Sequence, residues 1–584
     1  MRLKAGLVLF LIVTIFFSGC QQKPAVSNQV ANSNTNSTAA NAQWDAYAAK
    51  FLDDYFAANP SFAVYSGKHD QDGKLPDWSE EGLKKEIDRL KAERDKAAAF
   101  KDEQLDERQR FERDYLIAQI DKDLFWRETA DQPHKNPTFY SDALDPDVYV
   151  SRDYAPLDVR IKAYTAYAKN VPGALEQVKK NLKLPLAPTL QKIGITTIGG
   201  LADFYHNDVP KVFEPVKDEQ LQKDFKEAND SATKAVEEFK AWLSADNGIP
   251  AQDSFALGDK LFGWMLRATE GVEIDLAKLE EIAKQDLQKN LDALKVECDK
   301  YAPGKSLKEC SEKASASKAE GTNVVDMATK QLDGLRKFIT DNDLVSMPGT
   351  EQAKVGLSPP YKAWNFAYIN IPGPYETGLT STYYVSPPDP KWPKEKQEAY
   401  LPGKGSLLFT SVHEVYPGHF VQFLHANRSQ SKFGQVFVGY AYAEGWAHYT
   451  EEMMYDAGLG KDDPEMHIGQ LQEALLRNVR FLSAIGLHTK GMTVEESKKM
   501  FVEQGMQDEG SAEQQAERGT FDPAYLNYTM GKLMIRKLRE DWCASRGGRS
   551  AWKQFHDQFL SYGGPPIPLV RKAMMGKDDK GSLF

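Results

Sequence analysis

Ser411-Val412-His413-Glu414-Val415-Tyr416-Pro417-Gly418-His419-Phe420-Val421-Gln422 sets two histidines around a glutamate and a proline–glycine pair. Zinc prefers imidazole and carboxylate donors in a tetrahedral set, and catalytic zinc sites leave one position open for water. The helical solution His-Glu-x-x-His places both rings one turn apart on one face. Here the second histidine comes six residues after the first. In a straight helix that spacing means about 240° of rotation and about 9 Å of rise, so the rings would point apart. Pro417 removes an N–H and clashes with the preceding turn, while Gly418 tolerates unusual dihedrals. A turn broken at that pair swings His419 back toward His413. The expectation is a zinc site with a kink written into its helix.

A third ligand must come from elsewhere. Tyr442-Ala443-Glu444-Gly445-Trp446-Ala447-His448-Tyr449-Thr450-Glu451-Glu452 follows with helical periodicity. Gluzincins take a glutamate from a second helix at about this separation. Glu444 is the candidate, with Ala443, Gly445 and Ala447 small enough for close helix packing. Glu451 lies on nearly the same face and is the rival ligand; its other role is to orient a ligand histidine from behind. His448, one turn after Glu444, is a second candidate for that supporting role. Glu414, next to His413, is placed to act as general base on a metal-activated water.

The two segments resemble the bacterial "domain of unknown function 885" family, whose pattern is His-Glu-x-Tyr-Pro-Gly-His followed by Glu-Gly-Trp-Ala. The resemblance runs through most of the chain: Asn59-Pro60 and Gly67-Lys68-His69-Asp70 look like its opening, and Asp522-Pro523, Tyr528 and Gly531 look like its closing motif. His448 departs from it, standing where an apolar residue is expected. Members look like helical zinc metallopeptidases, distantly similar to the angiotensin-converting-enzyme, thimet-oligopeptidase and carboxypeptidase-Taq groups. The resemblance implies His413, His419 and Glu444 as the zinc ligands.

Tyr528 resembles the downstream tyrosine with which helical zincins hydrogen-bond the tetrahedral intermediate, a donor aimed at developing negative charge. Arg480 and His488 lie near the end of one helical stretch and are candidates for substrate binding. An arginine there either clamps a substrate carboxylate through two hydrogen bonds or pairs with a structural acid. Tyr383 and Tyr384 fall in a β-prone segment to whose edge an extended peptide could add. Alternation lets only one of them face the cleft, and Tyr384 is assigned there. Tyr416 and Trp446 are read as packing residues.

Farther out, amphipathic periodicity predicts helices over Trp44–Asn59, Glu80–Lys101, Glu107–Glu128, Ile161–Leu182, Asp218–Ala245, Leu276–Tyr301, Gly321–Asp341 and Glu465–Leu487. Asp218 and Thr493, the latter with Glu496 three residues on, read as N-caps. Residues 357–400 are dense in Pro, Tyr and Gly, and there Ala367–Ile371 and Thr382–Val385 are expected to form a small antiparallel pair. The net charge of −11 argues against a nucleic-acid partner, whose phosphates need a basic stripe.

At the N-terminus, Arg2 and Lys4 precede an apolar run from Leu7 to Phe17 and then Ser18-Gly19-Cys20. That is a signal peptide over 1–20, and Cys20 after Ser-Gly resembles a bacterial lipobox. Cys20 is therefore the expected lipidation site, with residues 21–43 as a flexible tether and the anchor on the periplasmic side of the outer membrane. In that oxidising compartment Cys298 and Cys310, flanking a turn, are candidates for a local disulfide, and Cys543 reads as a buried thiol.

The expected fold is mainly α, a helical zincin-like catalytic unit over 44–584 with a small antiparallel β element before the metal-binding helix. The expected function is zinc-dependent hydrolysis of peptide bonds in short or unfolded peptides. A zinc hydrolase of a non-peptide amide or ester, and a non-catalytic peptide-binding lipoprotein, stand as alternatives.

Overall fold

Helical periodicity dominates the sequence, and the architecture follows it. The computed structural model describes residues 30–245, 248, 254–318, 323–358, 362, 366–388, 391–576 and 579–584. The expected signal peptide, Cys20 and the first part of the expected tether lie outside the described residues. Helix α1 (Val30–Ala58) begins upstream of Trp44, so residues 30–43 of that tether are helical. Among the helices that follow are α2 (Glu80–Ala99), α3 (Glu107–Leu124), α4 (Leu157–Asn181), α5 (Pro188–Asn207), α6 (Glu219–Ser244), α7 (Leu276–Tyr301) and α8 (Val324–Asp341).

Side chains set several helix ends. Asp218 accepts from the amides of Gln220 and Leu221. Thr493 and Glu496 form a reciprocal capping box on the helix Val494–Glu503. Each such cap contributes about 1 kcal/mol. Helix α5 forms against local preference, since its Ile193–Gly200 segment is rich in β-branched residues and glycine. Burial of Leu190, Ile198 and Leu201 in a cluster shared with α4 and α6 supplies the compensation.

The small sheet is larger than expected. Strands β1 (Ala353–Leu357), β2 (Ala367–Asn370) and β3 (Ser381–Val385) lie in the order β1-β3-β2. The expected antiparallel pair is β2 with β3, and β1 adds on the other side of β3 in parallel. Cys298 and Cys310 form a disulfide, and Cys543 is a buried free thiol.

The sheet leads into the helices that carry the site: α9 (Lys404–Glu414), α10 (His419–Ala426), α11 (Tyr440–Asp456), α12 (Pro464–Thr489), α13 (Glu509–Phe521) and α14 (Asn527–Ala544). Helix α12 is buried on nearly every face from Ile468 to His488 and forms the axis against which α9, α7 and α13 pack. Helices α11 and α14 cross at Gly445 and Gly531, where a Cβ added to Gly445 would come within 2.5 Å of the Gly531 Cα. That close crossing brings Glu444 and Tyr528 to one place. Among the described residues no helix is long and apolar enough to cross a membrane.

Candidate metal centre

The kink is where the sequence puts it. Helix α9 stops after Glu414, and α10 starts at His419. The intervening Tyr416–Pro417 peptide is cis. The Gly418 amide turns back to donate to the Val412 carbonyl at 3.0 Å. The indole of Trp446 on α11 donates to the Pro417 carbonyl at 2.9 Å and fastens the loop to the next helix. As a result the rings of His413 and His419 stand 4.8 Å apart and at 89° to each other. Gly418 makes the fold-back possible by close approach: a Cβ there would run into the His413 carbonyl. Gly418→Ala is expected to cost about 1–3 kcal/mol of stability and to part the two rings. Denaturant unfolding measures the first effect and metal affinity the second.

Glu444 closes the group. Its Oε2 lies 3.2 Å from His413 Nε2 and 3.3 Å from His419 Nε2. One donor atom from each of the three residues falls within 4.8 Å of the others. Behind them, Glu451 is fully buried and accepts from His413 Nδ1 at 2.7 Å. Its second oxygen meets His448 Nδ1 at 3.1 Å, and Arg477 lies 3.3 Å from its first. Glu451 therefore fixes which nitrogen of His413 faces Glu444, and His448 supports that carboxylate.

The electrostatics suit a cation. Burial and Arg477 disfavour charge on His413, yet Glu444 and Glu451 outweigh both and hold its imidazole up to about 9. Burial also disfavours the charge of Glu444, but His419 and His413 keep its carboxyl well below the ordinary range. Two imidazoles and one carboxylate, converging on one point with a carboxylate behind a ring, match the donor set and support that zinc takes. Glu414 is buried beside them without belonging to the group; burial raises its carboxyl above the usual value, against the pull of His413 and His419.

Two cavities adjoin at this point, sharing His413, Glu414 and Tyr528 in their walls. One, of about 330 Å³, is walled by apolar side chains such as Phe62, Ile371, Phe423 and Val436. The other, of about 830 Å³, receives Arg477, Arg480 and Arg518. Tyr528 sits 6.2 Å from His413, ring to ring. Arg518 donates to its hydroxyl at 3.4 Å and to that of Tyr440 at 2.9 Å. A phenol that accepts from Arg518 keeps its own hydrogen to donate into the cleft.

Two sequence assignments do not reach the cleft. Tyr384 is half-buried and stacks at 5.1 Å on Tyr368, which borders the smaller cavity, but lines neither cavity itself. The strand alternation buries Tyr383 instead, which feels the charge of Glu414. His488 is locked inside the helical core, with Nε2 donating to the Gly519 carbonyl at 2.7 Å and Nδ1 accepting from the Leu257 amide at 3.3 Å. Burial pushes its imidazole down to about 4, so it is a neutral structural residue. Arg480 does line the larger cavity. Arg477, Arg518 and Tyr440 were not singled out from the sequence. Arg477 could have been, since it lies one turn before Arg480 on the same helix face.

Similarity to known proteins covers the same span. The profile of a family described as "Bacterial protein of unknown function (DUF885)" matches residues 60–574. A candidate lipoprotein of unknown function from Shewanella oneidensis has a similar solved structure, with a TM-score of 0.75 and 24% sequence identity over 91% of this chain and 99% of its own. A candidate lipoprotein from Colwellia psychrerythraea also has a TM-score of 0.75, at 17% identity, over 91% of this chain and 98% of its own. At such identities the likeness is one of fold. No curated protein matches the chain.

Proposed function

The chain belongs to the bacterial DUF885 family, and from its site we propose that it is a zinc-dependent hydrolase of peptide bonds. The observation that carries this reading is the convergence of His413, His419 and Glu444 at the junction of two cavities, beside a buried glutamate that is not one of the three. His413 Nε2, His419 Nε2 and a Glu444 oxygen would hold the ion. Bound there, zinc supplies a Lewis acid and a water of lowered pKa.

The protein's own groups do the rest. Glu414 takes a proton from the attacking water and passes it to the leaving amine. The C–N bond breaks, the water oxygen enters the new carboxylic acid, and the nitrogen leaves as a neutral amine that carries the transferred proton. Tyr528, steadied by Arg518, donates a hydrogen bond to the oxygen on which negative charge develops. Glu451 holds His413 in the tautomer that presents Nε2 to the site.

We also place the protein in the bacterial cell envelope, held by a lipid on Cys20. The charged-then-apolar N-terminus ending in Ser18-Gly19-Cys20 supports this, as does the description of both structural neighbours as candidate lipoproteins.

The test is digestion of a mixed peptide panel by the soluble chain lacking residues 1–20, with and without a chelator. Cleavage that the chelator stops and zinc restores is the expected result. Zinc-dependent hydrolysis of amide or ester substrates with no peptide cleaved would overturn the peptide assignment. Binding of peptides with no hydrolysis of any substrate would overturn the enzyme.

A further inference from the structure

Three arginines surround the ring of Tyr528, and they are not alike. Arg477 is paired with Glu451 and Glu473. Arg518 is paired with Asp522. Arg480 is only 5% exposed, yet it forms no ion pair among the described residues. Its Nε donates to the neutral amide oxygen of Gln515 at 2.8 Å, and its guanidinium lies over Tyr528, 4.6 Å from the ring centroid. Its two terminal nitrogens, four of its five N–H donors, have no acceptor among the described residues, and the residue lines the larger cavity. Of the acids that line this cavity, Glu473 holds Arg477, Asp508 caps α13 through the Gly510 and Ser511 amides, and none forms an ion pair with Arg480.

A buried guanidinium without a counter-ion is costly, and its planar fork matches a carboxylate bidentately. We propose that Arg480 receives the C-terminal carboxylate of the peptide substrate, so that the enzyme removes one or two residues from a free C-terminus. This rests on the peptidase reading and deepens it. The length follows from distance. Arg480 is 4.6 Å and His413 6.2 Å from the same Tyr528 ring, which bounds their separation. Extended chain covers about 3.3–3.6 Å per residue, so a carboxylate held by Arg480 leaves room for about one or two residues beyond the bond that is cut. The apolar cavity on the other side of His413 then takes the residues before that bond. A glutamate or aspartate side chain offers the same chemistry as a chain terminus, and the experiment separates the two.

The measurement is calorimetric binding to the zinc-loaded Glu414→Gln variant. Three ligands are compared: a short peptide with a free C-terminus, the same peptide amidated, and an amidated peptide carrying glutamate as its last residue. The free acid is expected to bind at least about 10-fold more tightly than either amide. Adding Arg480→Gln is expected to bring that ratio below about 2, and Arg480→Lys to restore part of it. Equal binding of acid and amide would overturn the proposal, and this comparison needs no change at Arg480. A ratio that survives Arg480→Gln would also overturn it, and tight binding of the amidated glutamate peptide would overturn the terminal assignment. Because binding is read without turnover, the two proposals fail separately. Acid-dependent binding with no hydrolysis by the unaltered chain removes the peptidase and keeps the carboxylate site. Hydrolysis with equal binding does the reverse.

Discussion

Glu414→Gln is expected to leave zinc bound and to lower kcat by about 10²–10⁴-fold, the usual contribution of a positioned general base. The residue touches both cavities and sits next to His413 in sequence, but it is not one of the three converging donors. Removing its charge therefore leaves the ligand set whole. Burial lifts its carboxyl above the ordinary value, in the direction that makes a carboxylate a better proton acceptor near neutrality. The amide keeps shape and hydrogen bonding while losing the basic lone pair, so a fall in kcat at constant zinc content isolates proton transfer. Single-turnover hydrolysis with metal analysis on the same sample reads both. Retained turnover would remove Glu414 from the mechanism.

Glu451→Ala is expected to destabilise the protein by about 3–5 kcal/mol and to weaken zinc binding by about 10–100-fold. The carboxylate is fully buried and joins His413, His448 and Arg477. Its truncation leaves Arg477 in the core with Glu473 as its remaining acid, and frees the His413 ring to turn. Denaturant unfolding and competition against a zinc indicator measure the two effects. Glu451→Gln, which keeps volume and one acceptor oxygen, should recover part of the stability. If Glu451→Ala binds zinc as tightly as the unaltered chain, Glu451 has no part in orienting His413.

Much of this site is legible in the sequence, because the chemistry is local there. The six-residue spacing of His413 and His419 makes sense only with a break between them, and Pro417-Gly418 writes that break. Glu444 is legible because small residues flank it, and the structure uses Gly445 for the close crossing with Gly531. What the sequence hides is set by distant partners. Alternation along β3 allows either Tyr383 or Tyr384 to face inward, and only the packing of the sheet on the helices, which buries Tyr383, decides between them. His488 and Arg480 lie on a helix buried on nearly all sides, where apolar periodicity gives no direction to the cleft. Arg477 and Glu451 lie on different helices, and only the packing of α11 beside α12 makes them one network.

Whether His413, His419 and Glu444 hold a catalytic metal is read from zinc stoichiometry by mass spectrometry on the chain lacking residues 1–20. About one zinc per chain is expected, removable by chelator and lost in His419→Ala. A chain that takes up no zinc when it is supplied, or whose zinc survives His419→Ala, would contradict this assignment.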